Sequence, residues 1–143
     1  MSQLTTNAKI EYAHALIASA NNTDVNTTIF DMSGWEGIVF ITHVTTGAAT
    51  GVATLTVKNH TANSAAGTAI TGAAATITNG TTYAGKNLIV DVYKPQKRYV
   101  YANITSGTDV ITFGQTHAIL YKGKMGPIAD PSTVADLVAV VGA

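Results

Sequence analysis

Apolar and polar residues alternate along the chain in short runs of about 6–10 residues separated by Gly, Asn, Pro and Ser, which predicts strands and turns rather than helices. The first run, residues 9–17, would place Ile10, Tyr12, His14 and Leu16 on one strand face, and its spacing also admits a helix. A polar loop with Asn21, Asn22, Asp24 and Asn26 precedes a short run at 28–32. Residues 33–37, Ser-Gly-Trp-Glu-Gly, turn the chain into its most apolar segment, 38–44. That segment, Ile-Val-Phe-Ile-Thr-His-Val, is apolar on both faces, so it belongs in the middle of a sheet with cover on each side.

In 52–57, Leu55 and Val57 alternate with Thr54 and Thr56, giving one core face and one face toward solvent or a neighbour. The Ala/Gly/Asn/Ser-rich stretch after it reads as loop with a weak strand near Ala69, and strand character resumes over 74–78. Asn79-Gly80 accepts positive φ at both positions and predicts a tight hairpin. Residues 88–93 form a strand, Lys94-Pro95-Gln96-Lys97 a short connection in which proline fixes φ, and 98–105 the return strand of a hairpin. Tyr99, Tyr101 and Asn103 then lie opposite Val100, Ala102 and Ile104. After a turn at 106–109, the run 110–121 is interrupted by Gly114, the mark of a bulge or bend.

About eight such strands predict an all-β, antiparallel β-sandwich or jelly-roll-like domain with extended terminal arms. The expected organisation is a β-sandwich domain with an N-terminal arm over residues 1–122, then a Gly/Pro linker and apolar tail over 123–143. In that tail Gly123, Gly126, Pro127 and Pro131 interrupt regular structure, and Asp130 before Pro131 is placed to cap a short helix. Leu137, Val138 and Val140 belong to a terminal apolar cluster, which either folds back on its own core or docks on a neighbour.

Composition narrows the function. A chain of 143 residues suits one domain with a sizeable core. Charged residues are 11% of it, against about 25% in an ordinary soluble domain. Eight Lys+Arg balance eight Asp+Glu, so there is no long-range attraction for phosphate and no nucleic-acid partner is expected. The absence of Cys excludes a disulfide scaffold and a Cys-based zinc site. Thr and Ala together make up about a third of the chain, well above average usage. The surface then owes its polar character to hydroxyls and amides, which suits covering another protein, because partly buried charges cost desolvation. No secretory leader is readable and no window approaches the roughly 18 apolar residues of a membrane helix, so synthesis in the cytoplasm and no membrane partner are expected.

Chemistry is sparse. His14, His43, His60 and His117 show no metal-motif spacing; His43 and His117 could meet from different strands, yet two scattered histidines are a weak signal and no metal site is expected. Asp24, Asp31 and Asp91 cannot be paired from sequence into a general acid and base. Gly47-Ala48-Ala49-Thr50-Gly51 lacks the spacing of a phosphate cradle, and Gly-x-Ser-x-Gly does not occur. The chain therefore reads as non-enzymatic, with neither catalytic residues nor a cofactor. What remains are contact candidates. Lys94, Lys97 and Arg98, with Lys122 and Lys124 as an addition, form a basic cluster that either meets an acidic partner or is a solvated hairpin. Trp35 is either a lid on the sandwich end or an interface anchor.

Three segments carry a family resemblance: Ile29-Phe30-Asp31-Met32-Ser33-Gly34-Trp35-Glu36-Gly37-Ile38-Val39-Phe40, Ala53-Thr54-Leu55-Thr56-Val57, and Val90-Asp91-Val92-Tyr93-Lys94-Pro95-Gln96-Lys97-Arg98-Tyr99-Val100 leading to Ala118-Ile119-Leu120-Tyr121. In pattern and order, across roughly residues 28–127, the chain resembles the capsid decoration, or cement, proteins of tailed bacteriophages. The resemblance implies a β-rich, non-enzymatic virion protein on the capsid exterior, bound to the major capsid protein as a homo-oligomer, a trimer ahead of a dimer. The N-terminal segment through Ile10 and Tyr12 and the tail carrying Pro127, Leu137, Val138 and Val140 would then engage neighbouring subunits. Two other readings stand beside it. A tail- or fibre-associated β-domain binding a carbohydrate or host surface would need Tyr83, Tyr93, Tyr99 and Tyr101 on one face. A small hydrolase would need titratable groups clustered in a pocket.

Overall fold

A computed structural model describes residues 7–122 and a strand at 134–141, in which Val138 alone has a described side chain. The strands are β1 (Ala8–His14), β2 (Ile17–Ala20), β3 (Asp24–Asn26), β4 (Phe30–Asp31), β5 (Gly37–Gly47), β6 (Val52–His60), β7 (Thr68–Ile77), β8 (Lys86–Tyr93), β9 (Tyr99–Gly107), β10 (Ile111–Tyr121) and β11 (Val134–Val141). They form two facing sheets, one in the order β1-β10-β5-β8-β11 with β2 also on β10, the other β3-β9-β6-β7 with β4 also on β9. The chain is an all-β sandwich, antiparallel apart from β11, which runs parallel to β8.

Alternation builds the core. Ile38, Phe40 and Val44 of β5 and Leu88, Val90 and Val92 of β8 are fully buried against Leu55 and Val57 of β6 and Val100, Ala102 and Ile104 of β9. Phe30 closes one side, its ring 5.9 Å from that of Phe40. One polar pair sits inside this layer: Thr42 and Thr116, paired across β5 and β10 and wholly buried, share a 3.0 Å hydroxyl–hydroxyl hydrogen bond that satisfies both.

Several local expectations change. Residues 9–17 are strand, not helix; the segment breaks at Ala15-Leu16 into β1 and β2, which share the edge of β10. The weak strand near Ala69 and the run at 74–78 are one strand, β7, with a register shift opposite β6. The expected hairpin around Lys94–Lys97 is a crossover between sheets, since both edges of β8 are taken by β5 and β11 and β9 is flanked by β6 and by β3 and β4. Asn79-Gly80 likewise leads from one sheet to the other. Gly80 is not among the glycines with positive φ, which among the described residues are Gly34, Gly72 and Gly85. It is required by packing: a Cβ there would stand 2.6 Å from Ile111 Cδ1 and 2.8 Å from Gly47 Cα. Gly114 does mark a bulge, with the β10–β5 register shifting between Phe113 and Thr116.

The apolar C-terminal run is a strand and not a helix: β11 pairs in register from Val134 opposite Asn87 to Val141 opposite Tyr93, and Val138 packs on the core of its own chain. β-Branched Val at 134, 138, 140 and 141 suits a strand, and a parallel return needs a connection of about a dozen residues, which 122–133 supplies. Pro127, and the helix cap expected at Asp130, lie outside the described residues.

Candidate functional site

The two sheets present opposite chemistry to the outside. On the β3-β9-β6-β7 sheet the outward positions of β6 and β7 include Thr54, Thr56 and Thr76 beside Lys58 and Ala74, with a 3.2 Å hydrogen bond between the Thr54 and Thr76 hydroxyls. Asn103 of β9 donates to Asp24 Oδ1 and Asn26 Oδ1 of β3. Tyr101 also lies on this side, yet it is fully buried, its hydroxyl donating to Ala65 O at 2.6 Å and accepting from Gly67 N at 2.9 Å. This is the hydroxyl-rich face that composition implied.

The other sheet differs. Ile10 pairs with Ile119 and that with Val39; Tyr12 pairs with His117, that with Ile41, and that with Ile89. Same-row residues share a face, and the inward neighbours Ile38, Phe40, Ala118 and Leu120 are in the core, so these seven side chains face outward. Ile10 is 60% and Tyr12 51% exposed, and Val39, Ile41, Ile89, His117 and Ile119 are half-buried. Beyond Tyr12, the Leu16 side chain is 66% exposed. The segment 38–44, apolar on both faces, thus has its second apolar face only partly covered. Each same-face residue tiles roughly 30 Å² of a sheet, so the seven span on the order of 200 Å² in projection. That is a modest contact, well short of the roughly 800 Å² per partner of a standard interface.

Within this face, opposite Val39 and so in the row of Ile10 and Ile119, stands the carboxylate of Asp91. Tyr121 Oη donates to Asp91 Oδ1 at 2.6 Å, and its ring stacks on Tyr93 with centroids 6.4 Å apart. Gly37, between β10 and β8, makes room: a Cβ there would run into the Tyr121 ring. Burial raises the Asp91 pKa above the ordinary carboxylate value, and the hydrogen bond from Tyr121 opposes this only in part. Burial, followed by the bond to Asp91, pushes the Tyr121 phenol up.

Of the contact candidates, the structure brings Trp35, Lys94, Lys97 and Arg98 together. They line one open cleft of about 410 Å³ with Met32 and Pro95, at the sandwich end where β5 and β9 begin and β8 ends. Trp35 packs partly on the core, while Lys9 Nζ and Lys122 Nζ lie 5.9 and 5.4 Å from its ring. Sequence order gave no signal for that pairing; it follows from Ala8 standing opposite Tyr121 at the ends of β1 and β10. Arg98 holds Asp31 through two 2.8 Å hydrogen bonds, and this fork, with the Ser33 amide, draws the Asp31 pKa down to about 2. Lys94 adopts a left-handed φ of 55° and its ammonium lies 5.4 Å from the Tyr93 ring. Ile10 and Tyr12 lie on the apolar face instead, Leu137 and Val140 pair with Ile89 and Val92 through β11, and Pro127 lies outside the described residues.

The tyrosines of the carbohydrate reading do not share a face. Tyr93 stacks on Tyr121 beside the apolar face, Tyr101 is buried on the outer side of the other sheet against residues 65–67, and Tyr83 packs against the core in the 78–85 connection. His43 bonds Asn87 at 3.0 Å and His117 meets the Tyr12 ring edge-on. Among the described residues no group of three or more His, Asp or Glu side chains is spaced to hold a metal ion.

Fold and surface together define a two-sheet β-sandwich with one outward apolar face and one aromatic, cation-lined end. Among solved structures, the chain is similar in fold to the PBSX exported protein XepA, with a TM-score of 0.56 and 19% identity over 93% of this chain and 43% of that one. The chain thus spans less than half the length of XepA. No family model and no curated protein matches the sequence.

Proposed function

We propose that this protein is a non-enzymatic structural subunit of a tailed-phage particle that binds the outside of the capsid shell and stabilises it, acting as a homo-oligomer on the major capsid protein. The observation that carries this reading is the outward row of Ile10, Tyr12, Val39, Ile41, Ile89, His117 and Ile119 on a body otherwise sparing of charge. An apolar sheet face left open to water favours association, and a face of this size gives a weak contact singly. Weak contacts become effective when many copies are held on one repeating lattice, because each bound neighbour raises the effective concentration of the next. The fold likeness to a PBSX exported protein lends this reading weak support.

The test is reconstitution. Shells prepared without the protein are mixed with it, sedimented, and heated with release of packaged DNA as the readout. Co-sedimentation at saturating stoichiometry with a raised release temperature is expected; no co-sedimentation contradicts the proposal.

A further inference from the structure

The cation-rich end of the sandwich is a second surface, separate from the apolar sheet face. Five of the chain's basic side chains gather there: Lys9, Lys94, Lys97, Arg98 and Lys122. Two are engaged with acids, Arg98 with Asp31 and Lys9 with Glu11 at 3.1 Å. Lys94 and Lys122 lie against aromatic rings rather than carboxylates, and no described acid pairs with Lys97. The cleft between them is floored by apolar surface of Met32, Trp35 and Pro95. From this geometry we infer that the Trp35 cleft is a docking site for an acidic segment of a partner protein, one in which carboxylates alternate with apolar side chains.

Both halves of the site point to protein rather than phosphate. Arg98, the side chain best shaped to grip a phosphate bidentately, is already closed on Asp31, and what remains are point-charge ammonium groups. The apolar floor of the cleft suits carboxylates set between apolar side chains better than the continuous charge of a nucleic-acid backbone. An indole partly packed on the core and partly open to the cleft is a rigid anchor for the apolar residues of such a segment.

This inference rests on reading the protein as a binding subunit of a particle, and its test has two arms so that the two can fail separately. In the first arm, the probe is a fluorescein-labelled ten-residue peptide alternating Glu and Leu, titrated with the full chain and followed by anisotropy at low and physiological salt. A lysine–leucine peptide and a phosphodiester oligonucleotide serve as comparison probes. Binding of the acidic peptide that weakens with salt is expected, with Lys97→Glu/Lys122→Glu weakening it about tenfold. These positions avoid Lys94, whose left-handed backbone complicates substitution, and an unchanged melting temperature establishes that the variant folds. No binding, unchanged binding by the variant, or tighter binding of the oligonucleotide overturns the inference. In the second arm the same variant is offered to shells lacking the protein. If the wild type sediments with shells and the variant does so equally at physiological salt, the cleft is not the docking site although the subunit role stands. If the wild type fails to sediment, the subunit role fails and the peptide arm alone judges the cleft.

Discussion

Tyr121 reaches across Gly37 to hold Asp91, donating its phenol to the carboxylate at 2.6 Å on the outward face of a sheet whose other outward residues are largely apolar. The glycine is what permits the reach. Gly37→Ala should force the ring aside and lower stability by about 1–3 kcal/mol, seen as a drop in the thermal midpoint. Tyr121→Phe, which keeps the ring and removes the donor, should cost a similar amount near neutral pH by leaving a half-buried carboxylate without its partner.

The same carboxylate gives a signed pH dependence. The folded Asp91 pKa lies above its unfolded value, so the folded state takes up a proton more readily and stability falls as pH rises from about 3.8 through the raised value. Asp31 runs the other way: with its pKa drawn down to about 2, the stability it contributes is present above the unfolded value of 3.8 and is lost as pH falls toward about 2. Thermal midpoints across pH should therefore show Asp91→Asn abolishing a decline on the neutral side of 3.8. Asp31→Asn should abolish a decline on the acid side.

A collar of three glycines surrounds one methyl group. A Cβ at Gly47, Gly51 or Gly80 would lie 2.5, 2.7 or 2.6 Å from Ile111 Cδ1, which is fully buried. Gly47→Ala should destabilise by about 1–3 kcal/mol through overpacking. Ile111→Val removes the clashing methyl, so the double variant should recover part of that loss, a non-additivity measurable in a double-mutant cycle by denaturant unfolding.

Truncation after Gly126 removes β11. Because that strand pairs with β8 and Val138 packs on the core, the truncated chain should lose about 2 kcal/mol or more of its own stability. Denaturant unfolding of the isolated protein measures this. An unchanged midpoint would assign the tail's contacts to a neighbour rather than to its own sheet.

What was legible in the sequence was local. The Thr/Leu alternation at 54–57 and the Tyr99/Val100 alternation lie on strands with the faces they imply, and the run at 38–44 is a central strand as expected but with only its inner face fully covered. Sheet membership was not legible, because a short Lys-Pro-Gln-Lys connection serves a hairpin and a crossover equally well; what decides is which strands already occupy the edges of β8. Of the candidate site, the Lys94, Lys97 and Arg98 cluster was legible because its members are close in sequence, while its meeting with Trp35 was not. The Lys9–Trp35–Lys122 stack and the Asp91–Tyr121 bond were not, since each joins residues from strands distant in sequence whose proximity is a property of register.

The apolar face separates folding from association. Ile41 lies at its centre, outside the core, so Ile41→Asp should leave the unfolding free energy of the dilute protein within about 1 kcal/mol of the wild type. The same variant should lose self-association in analytical ultracentrifugation and binding to shells. A folded variant that still assembles and binds shells would show that this face is not used.

The central claim is most directly met by imaging purified particles at a resolution that identifies this chain and counting its copies. Density for the sandwich at symmetry-related positions over the outside of the shell, in many copies per particle and with the face of Ile10, Ile41 and Ile119 turned toward a neighbour or the shell, is the expected result. A few copies confined to a tail or fibre, or none in the particle, would contradict it.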